Sequence, residues 1–317
     1  MNTYKYIAII VFIIWSTVPI NLGTVDRNFS YDLILKNDLN ITDLDIYRPY
    51  LFSVDDNSGN MAVYSYADHR AYIIFNDSKS VKIYGKGQGG GPEEFRNPTD
   101  IKFDKSGNFW IADPHLARIS MWSPDSGLIG TINHQFAVPE KISVSEEFYV
   151  LKDQTYSPTH GLLRLYNSNT KEHIRFAKLP AKLTESALLM DSMISSDSER
   201  VYVTMLNAGL IYCFDRNGDS LYEISTIEPV KIAELKLIEI NNVAGLNKLE
   251  AYKLPEETVR AVLDHDINES YLISLFDGTS KGVGHFIDIY DKISGIYLGS
   301  VNLEKVTDNY VIGIEVH

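Results

Sequence analysis

The feature that most constrains the fold of this chain is a pair of alternating strands that recurs at a nearly constant interval. Each pair has a strand ending in an aromatic residue, a polar turn and a second strand, as in AYIIFNDSKSVKIYG and RISMWSPDSGLIGTI. The aromatic residues of the five pairs are Phe75, Trp122, Tyr166, Phe214 and Tyr290. The first three intervals are 44 to 48 residues and the last is 76. A fixed period of this length predicts a fold built from repeated supersecondary units.

A second pair of strands precedes each of these hairpins. The clearest is IKFDKSGNFWIAD at residues 101–113, and FSVDDNSGNMAVYS at residues 52–65 repeats it closely. Gly and Asn occupy the turns because tight hairpins require positive φ there. Each period therefore holds four short strands, and the chain beyond its N-terminal apolar run shows no helical periodicity.

Four antiparallel strands in each period are typical of a β-propeller blade. Five blades are visible, and the remaining length predicts a sixth, which would combine the C-terminal strand 309–317 with strands from residues 27–45. Sharing one blade between the two ends of the chain closes the ring and protects its sheet edges. We therefore predict an all-β, six-bladed β-propeller of four-stranded antiparallel blades over residues 24–317, its ring closed by the N- and C-terminal strands.

Residues 1–23 are typical of a signal peptide. Lys5 supplies a positive charge, and an apolar run begins at Ile7. The run of about 14 apolar residues is too short to cross the ~30 Å of a bilayer core comfortably. This pattern predicts export to the periplasm, the cell surface or the medium, with cleavage near Gly23. An uncleaved N-terminal anchor is the alternative, because no clear A-x-A site is present.

The composition restricts the partners. The formal net charge of −13 argues against nucleic acid and against an anionic membrane surface, since both attract basic proteins. Cys213 is the only cysteine, so the sequence offers neither an internal disulfide nor a lipidation site. We expect a monomer whose core alone stabilises it.

A glycine-rich stretch, YGKGQGGGPEEFRNPTDIKF, raises the question of nucleotide binding. Gly85, Gly87 and Gly90 fit G-x-G-x-x-G, the pattern of loops that hold dinucleotide phosphates. That use requires a helix directly after the glycines, but Pro92 and a strand beginning at Thr99 leave no room for one. We therefore expect no nucleotide partner, and we interpret the stretch as the connection between two blades.

Residues 84–122 resemble an NHL repeat. The shared pattern is a glycine-rich lead, Phe, Pro, an alternating strand, Asp-x-x-Gly, an aliphatic strand, Ala-Asp and Arg-Ile. The whole chain is similar to six-bladed propeller proteins that Bacteroidota-type bacteria export, many of which are lipoproteins. The resemblance implies a propeller fold. It also leaves a metal-dependent activity open, because some NHL-type propellers are lyases that use metal-bound histidines.

The candidate site residues come from the loops around one end of the propeller channel, where second-to-third strand loops meet. The candidate ligand-binding residues are His69, His115, Arg118, His160, Asn207 and His285. Carboxylates in the same loops are Asp68, Asp113, Asp153 and Asp277. Converging imidazoles and carboxylates bind divalent metals or act as general acids and bases. The structural alternative is that Asp113 bonds loop amides or pairs with Arg118, as Asp often does at strand ends.

Two further segments are distinctive. Residues 226–254 exceed the repeat length between the fourth and fifth blades, and their Leu and Ile residues predict a folded flap. Asp264-His265-Asp266 resembles a metal-binding triplet, but the repeat pattern predicts a solvated turn there, away from the channel mouth.

The function that the sequence predicts is binding of a small molecule, peptide or protein partner at the channel mouth, without catalysis and without a cofactor. The alternative is a metal-assisted lyase or hydrolase that uses a His/Asp cluster on the channel face, with a divalent metal. A third possibility is a rigid interaction module with a plugged channel, and the fold alone does not separate the three.

Overall fold

Strands dominate the part of the chain that the structure describes. The computed structural model describes residues 9–11, 13–14, 27, 32–33, 44–133, 138–157, 161–168, 173–228, 230–243, 246–256, 258–278, 284–305 and 313–316. Three short 3-10 helices, at Pro114–Leu116, Ala181–Glu185 and Leu303–Lys305, interrupt the strands. Within these residues, no helix has the length and apolar character needed to cross a bilayer.

The described strands form five four-stranded antiparallel blades, in each of which the strands neighbour one another in chain order. Three short strands come first: β1 (Ile9–Val11), β2 (Ile13–Ile14) and β3 (Asp32–Leu33). Blade A comprises β4 (Pro49–Val54), β5 (Met61–Ser65), β6 (Arg70–Ile74) and β7 (Val81–Tyr84). Blade B comprises β8 (Asp100–Phe103), β9 (Phe109–Asp113), β10 (Arg118–Ser123) and β11 (Gly127–Asn133).

The second half of the chain repeats this arrangement around an inserted hairpin. Blade C comprises β12 (Pro139–Val144), β13 (Phe148–Ser157), β14 (Gly161–Asn167) and β15 (His173–Phe176). Blade D comprises β16 (Ser192–Ser196), β17 (Arg200–Met205), β18 (Leu210–Asp215) and β19 (Ser220–Ser225). The hairpin is β20 (Lys236–Val243) and β21 (Leu246–Lys253). Blade E comprises β22 (Val262–Ile267), β23 (Tyr271–Phe276), β24 (Phe286–Asp291) and β25 (Tyr297–Asn302), and β26 (Ile314–Val316) follows.

The burial of each strand follows from its place in the blade. All five residues of β5 are buried, because neighbouring blades cover both faces of a middle strand. The outermost strand β19 alternates between more and less exposed residues, since solvent reaches it from the rim. The chain is therefore an all-β propeller of four-stranded antiparallel blades, as the repeat predicts.

The glycine-rich stretch connects blade A to blade B. Phe95 is fully buried, with its ring 5.6 Å from the rings of both Tyr64 and Trp122. Gly85 has φ +91°, and a methyl group there would lie 2.5 Å from the Phe95 ring. Glycine is thus required for the close packing of this connection. The stretch leads into β8, without the helix N-terminus that a dinucleotide loop needs.

The flap predicted for residues 226–254 contains a hairpin, but its base packs against the propeller. Its strands β20 and β21 pair with each other in an antiparallel hairpin. At the hairpin's base, Ile232, Ala233, Leu235 and Leu254 pack against the hydrophobic core of blades C and D. The insertion is therefore anchored to the propeller by apolar contacts.

The described residues form five complete blades rather than the predicted six. At the next position of the ring, β26 lies beside β22, and the Ile314 amide donates to Asp264 Oδ2 at 3.0 Å. β26 pairs in parallel with β1, and β3 pairs with β2. Among the described residues, the C-terminal strand thus pairs with β1 and not with the predicted segment 27–45, because alternation marks a strand without identifying its partner.

The triplet Asp264-His265-Asp266 is also not in a turn. It lies in β22, and the turn follows at residues 268–270, where Asn268 Oδ1 accepts the amides of Ser270 and Tyr271. An Asn with this local hydrogen bonding is a stronger turn signal than Asp-His-Asp. The triplet therefore lies on the innermost strand of blade E.

Candidate functional site

The innermost strands of the blades, β4, β8, β12, β16 and β22, surround a central channel. A cavity of about 430 Å³ opens at the end where these strands begin, and we call it the mouth cavity. Its lining is Pro49, Tyr50, Leu51, Phe52, Asp100, Lys102, Lys141, Met193, Ile194, Arg260, Leu263, Asp264, His265 and Gly313. A smaller cavity of about 100 Å³ lies farther along, and Lys102 and Ile194 line both. The mouth cavity is the place where side chains of all five blades converge.

A larger cleft, of about 520 Å³, lies beside the base of the hairpin. Its lining comes from the insertion and blade E alone, including Val230, Ile232 and Phe276. Lys231 and Glu234 on this cleft are both exposed and pair with each other at 3.5 Å. We place the candidate site in the channel because the cleft lacks the convergence of buried polar groups typical of ligand sites.

Three cationic side chains reach the mouth cavity from three different parts of the ring. Lys102 lies on β8, Lys141 on β12, and Arg260 just before β22. Lys141 Nζ donates to the Thr99 carbonyl at 3.1 Å. Arg260 is exposed at the rim, and its carbonyl accepts the Gly278 amide at 3.0 Å. The cavity therefore has cationic groups at its rim and within the channel.

The two carboxylates of the mouth cavity hold the blades together. Asp100 Oδ2 accepts the Ile142 amide of the next blade at 2.8 Å, while its Oδ1 accepts the Ile101 amide at 3.1 Å. Asp264 is hydrogen-bonded in the same way. Its Oδ1 accepts the amide of the next residue, His265, at 2.9 Å, and its Oδ2 accepts the Ile314 amide of β26. Carboxylates that accept backbone amides satisfy groups that the inner sheet edges would otherwise leave unpaired.

Burial changes the ionisation of Asp264. Its side chain is partly accessible from the cavity, but protein surrounds it, and this burial raises its pKa to about 6. Lys102, the Ile314 amide and Lys141 oppose the shift, and Asp266 adds to it. The carboxyl group therefore changes charge close to neutral pH, inside the mouth cavity.

His265 joins blade E to blade D. Its Nε2 lies 2.8 Å from Ser195 Oγ, and its Nδ1 contacts Thr204 Oγ1. Only 2% of the residue is exposed. Burial, with a smaller contribution from Lys102, lowers its pKa to about 3. The ring is neutral near pH 7, with both nitrogens engaged by hydroxyl groups.

Part of the lining of the mouth cavity is apolar. Leu51, Phe52, Met193 and Leu263 contribute to it, and Tyr50 is 57% exposed at the rim. Apolar walls with a few placed charges are the usual composition of small-molecule sites. The arrangement can hold a ligand that has both an apolar part and a charged part.

The site residues predicted from the loops are dispersed in the structure. His69, at φ +54°, has Nδ1 2.9 Å from Tyr64 Oη. His115 is exposed on the 3-10 helix between β9 and β10. Arg118 is buried, where its guanidinium donates to the carbonyls of Gly91, at 2.9 Å, and Glu94. None of these three residues lines the mouth cavity.

Asn207 and His285 also lie away from the cavity. Asn207 is buried and donates to the Leu188 carbonyl at 2.9 Å. His285 Nδ1 lies 3.4 Å from Glu304 Oε1. The prediction for His160 lies outside the described residues. No group of three or more His, Cys, Asp or Glu side chains that could hold a metal occurs in the described part of the chain.

The loop carboxylates have structural partners. Asp113 accepts the Arg96 amide at 2.7 Å, which confirms the structural interpretation of this residue. Asp153 forms ion pairs with Arg164 at 2.7 Å and Arg175 at 3.0 Å. Position in a loop does not identify the channel residues, because these lie on the inner strands. The sequence signal for them is an Asp near the start of an inner strand, which recurs as Asp100 and Asp264.

Comparison with known proteins supports the fold. No family model matches the chain, and no curated protein is significantly similar to it. A structural genomics protein of unknown function from Bacteroides thetaiotaomicron aligns over 86% of this chain and 64% of its own, with 12% identity and a TM-score of 0.53.

Two other solved structures are less similar. A chain of the mitotic checkpoint complex aligns over 81% of this chain and 66% of its own, with 11% identity and a TM-score of 0.47. The RRP9 WD40 repeats align over 81% of this chain and 64% of their own, with 7% identity and a TM-score of 0.47. This chain spans slightly less than two thirds of each of the three structures. Similarity at these identities concerns the fold alone.

Proposed function

We propose that the protein binds a small molecule or the end of a peptide in the mouth cavity, without catalysis. The observation that carries the proposal is the convergence of five inner strands on one open cavity with both apolar and charged residues in its lining. Its volume of about 430 Å³ lies within the ~300–1,000 Å³ of typical ligand sites. A protein partner that inserts a terminal segment would use the same opening.

The non-catalytic role follows from how the ionisable groups are used. Asp100 and Asp264 hold backbone amides of neighbouring strands, and His265 is buried between two hydroxyl groups. A general acid or base needs an open position toward the substrate. These groups instead fix the shape of the cavity, so they favour binding over proton transfer.

We also propose that the protein is an exported, NHL-like propeller in which segments near both termini complete a sixth blade. The apolar run at Ile7, the NHL-like pattern of residues 84–122 and the position of β26 beside β22 support this proposal. Cleavage near Gly23 would remove β1 and β2, so β26 would then pair within the mature chain. N-terminal sequencing of protein recovered from a periplasmic or culture fraction tests it, and a mature chain that begins at Met1 would contradict cleavage.

Thermal unfolding in the presence of a ligand panel tests the binding role. Compounds of positive, negative and zero charge, each able to enter a cavity of this size, are compared by the shift they cause in Tm. A true ligand raises Tm by mass action. Met193→Trp, which fills the cavity, should abolish the shift, whereas Leu188→Trp at an exposed position should retain it. A panel without any shift, or a shift that survives Met193→Trp, would refute binding in the mouth cavity.

A further inference from the structure

We infer that the ligand of the mouth cavity is an organic anion, whose charged group lies between Lys141 and Arg260 and whose apolar part faces the apolar part of the lining at Met193. The inference rests on the proposed binding function and specifies the chemical class of the ligand. Carboxylate, sulfonate and phosphate heads share the required chemistry, since each presents anionic oxygens to cationic donors.

Lys141 and Arg260 differ from most of the buried cations in the described part of the propeller. Three of those cations have a carboxylate partner: Lys152 with Glu140 at 2.9 Å, Lys292 with Asp197 at 3.0 Å, and Arg164 with Asp153 at 2.7 Å. The fourth, Arg118, donates to the carbonyls of Gly91 and Glu94. Half-buried Lys141 has a neutral partner, the Thr99 carbonyl, and forms no ion pair with the described residues. Arg260 likewise forms no ion pair within the described part of the chain.

The carboxylates near these cations are already hydrogen-bonded to the backbone. Both Asp100 oxygens and both Asp264 oxygens accept backbone amides. These bonds hold the strands and cannot be released without leaving buried amides unpaired, which is costly. Lys141 and Arg260, which form no ion pair with the described residues, therefore retain attraction for an added anion, and the lining as a whole carries three cationic side chains and two carboxylates.

The net charge of the whole protein has the opposite sign to the cationic groups of the cavity. The chain carries a formal net charge of −13, so its surface repels anions at long range. A cluster of cations within a channel of low-dielectric walls focuses the local field and selects an anion in spite of the overall charge. The cavity lining thus has more cations than carboxylates although the chain as a whole is acidic, and an anionic ligand at this site would account for the difference.

The apolar part of the lining indicates that the anion also has an apolar group. Leu51, Phe52, Met193 and Leu263 face the same space as the cationic groups. A bare inorganic ion would leave this part of the lining in contact with water, whereas an aromatic or aliphatic body would bury it, with a gain of ~25 cal/mol per Å² of apolar area. An organic anion would contact the cationic groups with its charged part and cover the apolar residues with the rest of the molecule.

Calorimetric titration with benzenesulfonate tests the inference, with benzyl alcohol as its neutral counterpart. Benzenesulfonate remains ionised across the working pH range, so its charge is constant. We expect it to bind, to bind more weakly as salt is added, and to bind more tightly than benzyl alcohol. In the double variant Lys141→Gln, Arg260→Gln its affinity should fall at least about tenfold, because two charged hydrogen-bonding groups are lost.

Lys105→Gln is the matched control, because Lys105 is exposed in the turn after β8, away from the mouth cavity. It should leave the affinity unchanged, and circular dichroism of each variant verifies the fold. Equal affinity for the two probes, no binding of benzenesulfonate, or unchanged affinity in the double variant would overturn the anion inference. In those cases the ligand panel and Met193→Trp still decide separately whether the cavity binds another class of molecule.

Discussion

The pH dependence of folding should depend strongly on His265. The perturbation is His265→Gln, which keeps a neutral polar side chain but removes the ionisable ring. In the folded protein the ring is buried between Ser195 Oγ and Thr204 Oγ1, and its pKa is lowered from 6.5 to about 3. In the unfolded chain it takes up a proton near its ordinary pKa. The unfolded state therefore binds the additional proton as the pH falls below about 6.5.

The magnitude follows from the size of this window. Each pH unit between the unfolded and folded pKa values changes the free energy of unfolding by about 1.4 kcal/mol. Because the folded pKa of His265 is depressed, its stabilising contribution is complete above about pH 6.5 and is lost as the pH falls toward 3. Between about pH 7.5 and pH 4.5 the loss is about 2.5–3 kcal/mol, a large part of the stability of a typical domain.

Asp264 works in the opposite direction. Its pKa is raised from 3.8 to about 6, so the folded state binds its proton first and gains stability as the pH falls through this range. Comparison of wild type with His265→Gln removes this contribution, which both proteins share. Since His265 is neutral in the folded state over the tested range, its replacement leaves the field at Asp264 nearly unchanged.

Urea unfolding at several pH values, followed by tryptophan fluorescence, measures the effect. The free-energy difference between wild type and His265→Gln should shrink by about 2.5–3 kcal/mol on going from about pH 7.5 to pH 4.5. His115→Gln is the control, because this ring is exposed in the folded protein. A difference between wild type and His265→Gln that stays constant across the range would refute the reasoning.

Two substitutions with matched controls test the packing. Arg27→Met should destabilise the protein by about 3–5 kcal/mol, because Asp288, whose side chain is fully buried, would lose its 3.0 Å ion pair. Its control is Glu228→Gln, which alters the exposed partner of the same guanidinium and should lower the free energy of unfolding in urea by at most about 1 kcal/mol. Gly161→Ala should lower Tm far more than Gly127→Ala, although φ is +86° and +84°, because only the first methyl group meets a backbone carbonyl oxygen, at 1.8 Å. Equal effects within either pair would contradict the contacts described here.

The sequence alone determined the local structure of the blades. Alternation and turn chemistry act over a few residues, so they mark strands wherever the chain lies in the fold. The Asp-x-x-Gly turn between β8 and β9 is an example: Asp104 accepts the amides of Ser106 and Asn108, and Gly107 has φ +77°. The four-stranded period could be predicted for the same reason.

The tertiary structure decided which strands meet and which residues face the axis. β26 lies next to β22 and pairs with β1, a partner that no periodicity identifies, because pairing depends on hydrogen bonds between distant segments. Asp264-His265-Asp266 consists of polar residues that are common in turns. It can lie on an inner strand because Ser195, Thr204 and Ile314 supply hydrogen-bond partners for its polar groups.

The mouth cavity depends entirely on this assembly. Lys102, Lys141 and Arg260 are separated by about 40 and about 120 residues along the chain, and each resembles an ordinary surface cation in its own segment. Only closure of the blades around one axis brings them to the same cavity, where the two carboxylates of the lining are hydrogen-bonded to backbone amides. The amino-acid pattern fixes the blades because strands and turns are local, whereas the site is set by contacts between blades, which are not.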